Sequence, residues 1–485
     1  MVHLLVVGAG PAGMAGALAA ADSGFDVLVV DEQARAGGQI FRRPPQAFGG
    51  TSHFGPYTWA GDLIERFEAH PRISTSFRST AYGVLRDRDE LGMRLCVGVH
   101  TPNGGERVST DRILIATGAY DMPVAFPGWT SPGVMTVGAA QSLLKSQKVL
   151  AGRRVILAGS HPLLLIAAEQ LLDAGAEIAE VAFARALPNM AEMASALSAA
   201  PGHLRVFAEA GRAVTRLLTR GVKVSKRTIV TEAVGGKAVT GVRLANVDKN
   251  WRTVGRTREV HGDLLLLGYG FSPSTELARQ AGCEMQWDSR LGGWVVAHDE
   301  SFATSAEGIY IAGEPTGVSG AEQSWAEGWN AGLHIARSLE VEAGRSAGKI
   351  QTELAQARRL LQRSGKFSRV VQSMFEPNRE ALVALSNPKD TTVCRCELVT
   401  SDRIDEVLRN NPFISSGSAV KLECRSGMGP CQGRYCESTV AGRVAQSRGA
   451  SIESSGFFAA HLPVKPVSLE TYRMLSDPGS HSTTG

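Results

Sequence analysis

Two groups of residues in this chain have types and spacings that suit redox chemistry. Near the C-terminus, Cys394-x-Cys396 is followed by Cys431-x-x-x-x-Cys436, with Cys424 between them. Thiolates are soft ligands, and four of them suit an iron–sulfur cluster or zinc. Structural zinc usually pairs its cysteines across two to four residues, so a spacing of one favours an iron–sulfur cluster and leaves zinc as the alternative. Cys424 is a spare fifth thiol. Cys96 and Cys283 are isolated and read as small core residues. Near the N-terminus, Gly8-x-Gly10-x-x-Gly13 has the spacing of a pyrophosphate cradle. Gly8 allows the tight turn, Gly10 the approach of backbone to phosphate, and Gly13 close packing of helix on strand. Pro11 and Ala12 are further candidates in the turn that leads to the helix, whose free N–H groups would face the phosphates. Asp31 can accept hydrogen bonds from a ribose, with Glu32 as a second candidate whose side chain should point the other way. These residues define an adenine dinucleotide site and do not by themselves separate FAD, NAD and ADP. The remaining alternative is a structural glycine turn.

The elements that must hold these groups are also legible. Leu4 to Val7 is a short apolar strand, Met14 to Ser23 a helix ending near Gly24, and Val27 to Val30 a second strand closing on Asp31: a βαβ unit. Gly37-Gly38 marks a turn, followed by Gln39 and Arg42. Pro44 to Tyr57 reads as a long cofactor-covering or surface loop. The nearby His53 and His70 have no evident role. Residues 81–108 alternate as antiparallel strands, and Ile113 to Ile115 is a buried strand leading into Ala116-Thr117-Gly118. A second βαβ unit starts at Arg154, but His161 and Leu164 stand where its second and third glycines belong. A side chain at 161 obstructs pyrophosphate, and no acid ends the second strand. This unit is expected to be scaffold without NAD(P), and His161 a turn residue without a role. Asp263 begins another strand. Ile309 to Ala312 is a strand ending at Gly313-Glu314, and a glycine-rich turn feeds a helix from Ala321 to Ala336. From Ser338 to about Arg379 the chain is polar and helical, and reads as a linker with no nameable site.

The chain has 485 residues and a formal net charge of +4. That charge, with no basic run, gives no reason to expect a nucleic-acid partner. No apolar run approaches the roughly 20 residues that span a bilayer. The first strand begins too early for a signal peptide, so the cytoplasm is the default location.

Ala116-Thr117-Gly118 resembles the returning strand of two-dinucleotide-domain, glutathione-reductase-like flavoproteins. In that superfamily the chain passes the flavin near Gly38 and Gln39. The pair Gly313-Glu314 resembles its Gly-Asp, whose carboxylate meets the ribityl chain. With these motifs in order the expected occupant is FAD. The fuller series is GAGPAG, DEQ-x-x-x-GGQI, IATGAYD, AGS-x-PLLL, GYGF-x-P-x-T-x-L, CRCE and GMGPCQGRYC. It resembles the α subunits of the opine oxidase group, which are related to flavin subunits of D-hydroxyproline and dye-linked L-proline dehydrogenases and of hydrogen cyanide synthase. The C-terminal motifs resemble the BFD-like [2Fe-2S] domain, whose ligands map onto Cys394, Cys396, Cys431 and Cys436.

The resemblance implies an α/β fold with two dinucleotide-binding domains and a small helical C-terminal domain. An FAD-binding domain is expected over 1–122 and 290–345, a Rossmann-like domain over 123–289, a helical linker over 346–385, a [2Fe-2S] domain over 386–450 and a tail over 451–485. It implies an electron-transferring component of a dehydrogenase acting on CH–NH donors such as octopine or nopaline. The substrate site would lie in a flavoprotein β subunit, beside a small γ subunit, so no catalytic residue is assigned to this chain. Electrons would pass through FAD, [2Fe-2S] and an FMN at the subunit interface to a quinone or dye, through which the enzyme would meet a membrane. ATP is the alternative occupant of the N-terminal site. The competing readings are a subunit of a D-hydroxyproline or proline dehydrogenase or of hydrogen cyanide synthase, an NAD(P)H-dependent FAD/[2Fe-2S] reductase, a thiol–disulfide reductase and a zinc-bearing scaffold.

Overall fold

The computed structural model describes residues 2–48, 54–89, 92–186, 188–344 and 348–476. His53 lies outside the described residues. The N-terminal strand Val2–Val7 buries Leu4, Leu5 and Val6 completely. It runs parallel to Val27–Asp31 on one side and to Gly104–Ile115 on the other. Ile73–Phe77 extends the sheet beyond Val27–Asp31, and Ile309–Ile311 adds to Gly104–Ile115. The centre of this parallel part is buried on both faces, as the unbroken apolar runs of its inner strands require, while the edge strand Ile73–Phe77 is polar and partly exposed.

The Gly104–Ile115 strand serves both halves of the sheet. Its first half pairs antiparallel with Gly92–Thr101, which pairs with Thr80–Asp89. The alternating region and the strand at Ile113, separate in the sequence pattern, are thus one continuous element. The alternation fades only where the strand passes from a half-exposed meander into the buried parallel part.

The helix Pro11–Asp22 lies against Ala321–Glu342, which runs on past Ala336, where its sequence pattern ends. Their contact explains the small residues in both. A Cβ at Gly328 would stand 2.0 Å from the Ala12 carbonyl oxygen, and one at Gly332 would stand 2.4 Å from that of Gly16. The two backbones touch, and only glycine fits the crossing.

The second unit repeats the design. Its parallel sheet runs in the order Val224–Ser225, Glu177–Phe183, Arg154–Gly159, Leu264–Gly268, Val134–Thr136. Leu163–Asp173 is its crossover helix, and the meander Thr228–Gly235, Val239–Val247, Thr253–His261 lies beside it. Two chain segments join the units, and they pair with each other as antiparallel strands, Ala119–Asp121 on Phe271–Pro273.

At the C-terminal end, Ser401–Asn410, Gly417–Cys424 and Glu437–Arg448 pack three short helices around Ile404, Val420, Val440, Val444 and Phe458. The chain then returns to the first unit. Val464 N–H donates to the Tyr82 carbonyl at 2.8 Å, and the Tyr82 hydroxyl donates to the Thr471 carbonyl at 3.0 Å. Among the described residues, no helix is long and apolar enough to cross a membrane.

Candidate functional site: a dinucleotide cavity beside a cysteine cluster

The first strand stops at Gly8, which takes φ +108°. A Cβ there would stand 2.3 Å from the Ala116 carbonyl oxygen, and one at Gly13 would stand 1.7 Å from that of Gly8. Gly10 differs, because its Cβ would find only Gly38 Cα, at 3.9 Å. The protein itself leaves the space over Gly10 open. Gly10 also caps the helix without a side-chain bond, with Pro11 at the first position, so the free N–H groups of that helix end face the opening. Asp31 is held by two backbone donors: Ala9 N–H to Oδ2 and Gln33 N–H to Oδ1, each at 2.6 Å. Burial still pushes its carboxyl above the usual range, against these two bonds.

These residues border one large cavity of about 520 Å³. Gly8, Gly10, Pro11, Ala12, Asp31, Glu32, Gly38, Gln39, Ala116, Thr117, Gly118, Gly313 and Glu314 all line it. Gly13 does not, and serves the packing of helix on strand. Glu32 corrects the expectation that it turns away from Asp31: it borders the same cavity and pairs with Lys465. The strand ends at Asp31, so the alternation of faces ends there too. Tyr57, at the end of the proposed covering loop, also lines the cavity.

Beside the start of the cradle helix lie two acids, Glu327 buried and Glu314 half-buried. Glu314 Oε1 accepts from Gly320 N–H at 3.0 Å. Glu327, to which no sequence motif points, accepts from Gly313 N–H and from the Thr316 hydroxyl, both at 2.8 Å. Burial pushes each carboxyl up to about 7, and for Glu314 the neighbouring Glu327 adds to the rise. Both groups therefore hold protons in the folded chain that the unfolded chain releases near the ordinary value of 4.5. Their contribution to stability is complete below that pH and is lost as pH rises through about 7. Denaturation midpoints should fall across this window, with a limiting slope of about 1.4 kcal/mol per pH unit for each group. Glu327→Gln should flatten the fall; a pH profile identical to that of the parent protein would refute the assignment.

The segment expected to be a linker is instead a wall of the cavity. The helix Gly348–Phe375 lies on Ala321–Glu342. Ser368 Oγ donates to the Ser319 carbonyl and Gln372 Nε2 to that of Val318, both at 2.7 Å. Phe367, Val371 and Phe375 face the cavity. Their spacing of four residues was the available signal, hidden in a segment whose overall polarity suggested a solvated helix.

The turn of the second βαβ unit also faces this cavity through His161, Pro162 and Leu163. His161 Nδ1 accepts from Leu163 N–H at 3.2 Å, one of the helix-end donors that a second pyrophosphate would need. Burial pushes the ring down to about 4, so it is neutral and able to accept. Its ring meets Phe271 edge-on at 5.1 Å, with Phe375 beyond. The expected absence of a role for His161 needs correction: it lines the cavity and accepts from the start of the helix that follows.

The cysteines form two pairs. Cys394 lies beside Cys436, and Cys396 beside Cys431. Gly427 N–H points at Cys394 Sγ at 3.5 Å. The neighbouring Cys436 thiol, helped by backbone N–H groups, draws the Cys394 thiol down to about 6. Cys424 is apart from them, with its thiol on the Val420 carbonyl at 3.3 Å. Among the described residues, no set of three or more His, Cys, Asp or Glu side chains is arranged to hold one metal ion. Cys96 and Cys283 are buried singly, as expected.

The two regions meet at Arg434, on the loop between Cys431 and Cys436. Its side chain lines the large cavity. It donates to the Tyr120 hydroxyl at 2.9 Å and to the Val464 carbonyl at 3.0 Å, and pairs with Glu276 at 3.2 Å. Arg434 had no signal of its own in the sequence.

Two nucleotide-type βαβ units around one cavity define a flavin-dependent oxidoreductase of the two-dinucleotide class. The pattern of the pyridine nucleotide-disulphide oxidoreductase family matches residues 2–332, and this family implies FAD. The A-subunit of opine oxidase from Agrobacterium tumefaciens is 34% identical over 506 residues, covering 99% of this chain and 95% of that one. Hydrogen cyanide synthase subunit HcnB of Pseudomonas aeruginosa is 31% identical, covering 97% of this chain and 98% of that one. The structure of L-proline dehydrogenase from P. horikoshii shares the fold, with a TM-score of 0.66 at 20% identity over 96% of this chain and 78% of that one. The chain belongs to the family of opine oxidase A-subunits.

Proposed function

We propose that this chain is the electron-transferring component of a heteromeric dehydrogenase acting on the C–N bond of an opine or related amino acid. It holds FAD over Gly8, Gly10 and Asp31, and a [2Fe-2S] cluster on Cys394, Cys396, Cys431 and Cys436. The observation that carries this reading is Arg434. One loop supplies two of the four thiols and a wall of the dinucleotide cavity, so the two centres are neighbours. Two thiol pairs, rather than four thiols at one point, are the donor set for a two-iron cluster, which takes two thiolates per iron. When bound, FAD takes up an electron pair and the cluster passes electrons singly.

The chain's own groups bind and insulate. The helix end at Gly10 faces the pyrophosphate and Asp31 the ribose. Glu314 sits where the ribityl chain would run. Phe271, Phe367 and Phe375 keep water from the far end, and His161 occupies the donors a second nucleotide would use. A substrate site in a flavoprotein β subunit, with a small γ subunit, an interface FMN and a quinone or dye acceptor, completes the enzyme. The names of two relatives, which call them subunits, support a partner.

A cofactor inventory of the purified chain tests the proposal. The expected result is one FAD and about two irons per chain, with no bleaching of the flavin by NADH. Zinc without flavin would overturn the redox reading. ATP in place of FAD would move the flavin chemistry to the partner, and bleaching by NADH would restore the second nucleotide site.

A further inference from the structure

Outside the nucleotide cradle, a small cavity of about 70 Å³ is lined by residues of the hairpin Met285–Asp288 and Gly293–Val296, the short helix Arg379–Ala384 and the helix Glu437–Arg448. A chain of rings and guanidinium groups surrounds it. Arg379 lies over Trp287, with Cζ 5.6 Å from the ring centre, and Arg279 lies over Phe457 at 4.4 Å. Trp294 bridges them, edge-on to Trp287 at 5.5 Å and to Phe457 at 4.9 Å.

Four buried N–H groups on residues lining this cavity have no acceptor: Nε and Nη2 of Arg379, Nε of Arg279, and Nε1 of Trp294. The Arg279 side chain is only 8% exposed. The carboxylate on the wall, Glu437, is already engaged, accepting from Arg279 at 2.8 Å and from Phe458 N–H at 3.0 Å. Glu376, close to Arg379 in sequence, is bonded to the Ser289 hydroxyl. The wall thus carries two guanidinium groups against one carboxylate, with its spare capacity made up of donors. Leaving buried donors unmet costs about 1–3 kcal/mol each, and more for charged groups. Burial of Arg379 also pushes its guanidinium down to about 10, in keeping with a cation short of acceptors.

We propose that this cavity binds a small oxyanion, either the carboxylate of an organic acid or a phosphate. A small anion with several acceptor atoms would answer the unmet donors on these lining residues. The volume suits one such group and not a nucleotide. Arg379 also borders the large cavity, so the oxyanion can belong to a molecule reaching in from that side.

Calorimetric titration of the full-length chain with sodium acetate, sodium phosphate and, at matched ionic strength, sodium chloride tests it. Saturable binding of acetate or phosphate, but not chloride, is expected. The tighter of the two identifies the source as an organic acid or a phosphate. Arg379→Met should weaken binding at least ~10-fold. Trp294→Phe keeps the ring and removes one donor, and should weaken it about 5-fold, the equivalent of one hydrogen bond. Arg403→Met, a remote exposed site, should change nothing. If Arg379→Met does not fold, Trp294→Phe decides. No saturable binding, or binding indifferent to both substitutions, would overturn the proposal and leave the cavity to water.

Discussion

Cys431→Ser is expected to strip the chain of its iron, from about two atoms to near zero, while FAD stays at one per chain. A serine hydroxyl is a poor ligand where a soft thiolate is needed. The choice among the four positions matters. Cys394 and Cys436 are 1% and 0% exposed within the helical core, so a serine at either would bury a new hydroxyl and confuse loss of metal with loss of fold. Cys431 is half-buried, so its replacement isolates the ligand effect. The checks are the visible spectrum and the iron content. A full iron complement in this variant would remove Cys431 from the ligand set. Simultaneous loss of flavin would show that the contact through Arg434 holds the two sites as one.

The second large effect is expected at Gly10. Replacement by leucine should weaken FAD at least ~100-fold, about 2.7 kcal/mol, with little change in the stability of the flavin-free chain. The reasoning is spatial. A side chain at Gly10 enters the open cavity and meets none of the protein within 3.9 Å of its Cβ. Gly13→Ala makes the contrast, because its Cβ would collide at 1.7 Å with the Gly8 carbonyl oxygen. That overpacking costs about 1–3 kcal/mol or more of fold stability. Nucleotide content and unfolding curves of the two variants separate binding from folding. Undiminished nucleotide in Gly10→Leu would refute the placement of the site.

The cradle was legible from sequence because each of its glycines answers a local demand: a turn at Gly8, an open approach at Gly10, a tight crossing at Gly13. The four clustered thiols stood out for a similar reason, by type and spacing, but which thiol approaches which did not follow from the spacing. What escaped was everything that depends on tertiary approach. Glu327 sits mid-helix in a segment read only for its periodicity, and only the fold turns it under Gly313. Arg434 lies between two residues of interest without a pattern of its own. The Phe367–Val371–Phe375 stripe was outweighed by the polar residues around it, so a wall of the cavity resembled a connection. His161 was legible as an obstruction to a second pyrophosphate. Its acceptance of the Leu163 N–H, at the start of the helix that follows, needed the folded geometry.

The return of the last described segment to the first unit has a consequence for biosynthesis. Lys465 closes on Glu32, and the Arg434 guanidinium is anchored by the Val464 carbonyl. The cradle's first motif leaves the ribosome more than four hundred residues before these partners. A nascent chain can form the βαβ unit early, but the part of the wall that Val464 and Lys465 supply is made much later. A nucleotide in this cavity would therefore be closed in on that side only after a segment far along the chain from the cradle has been made.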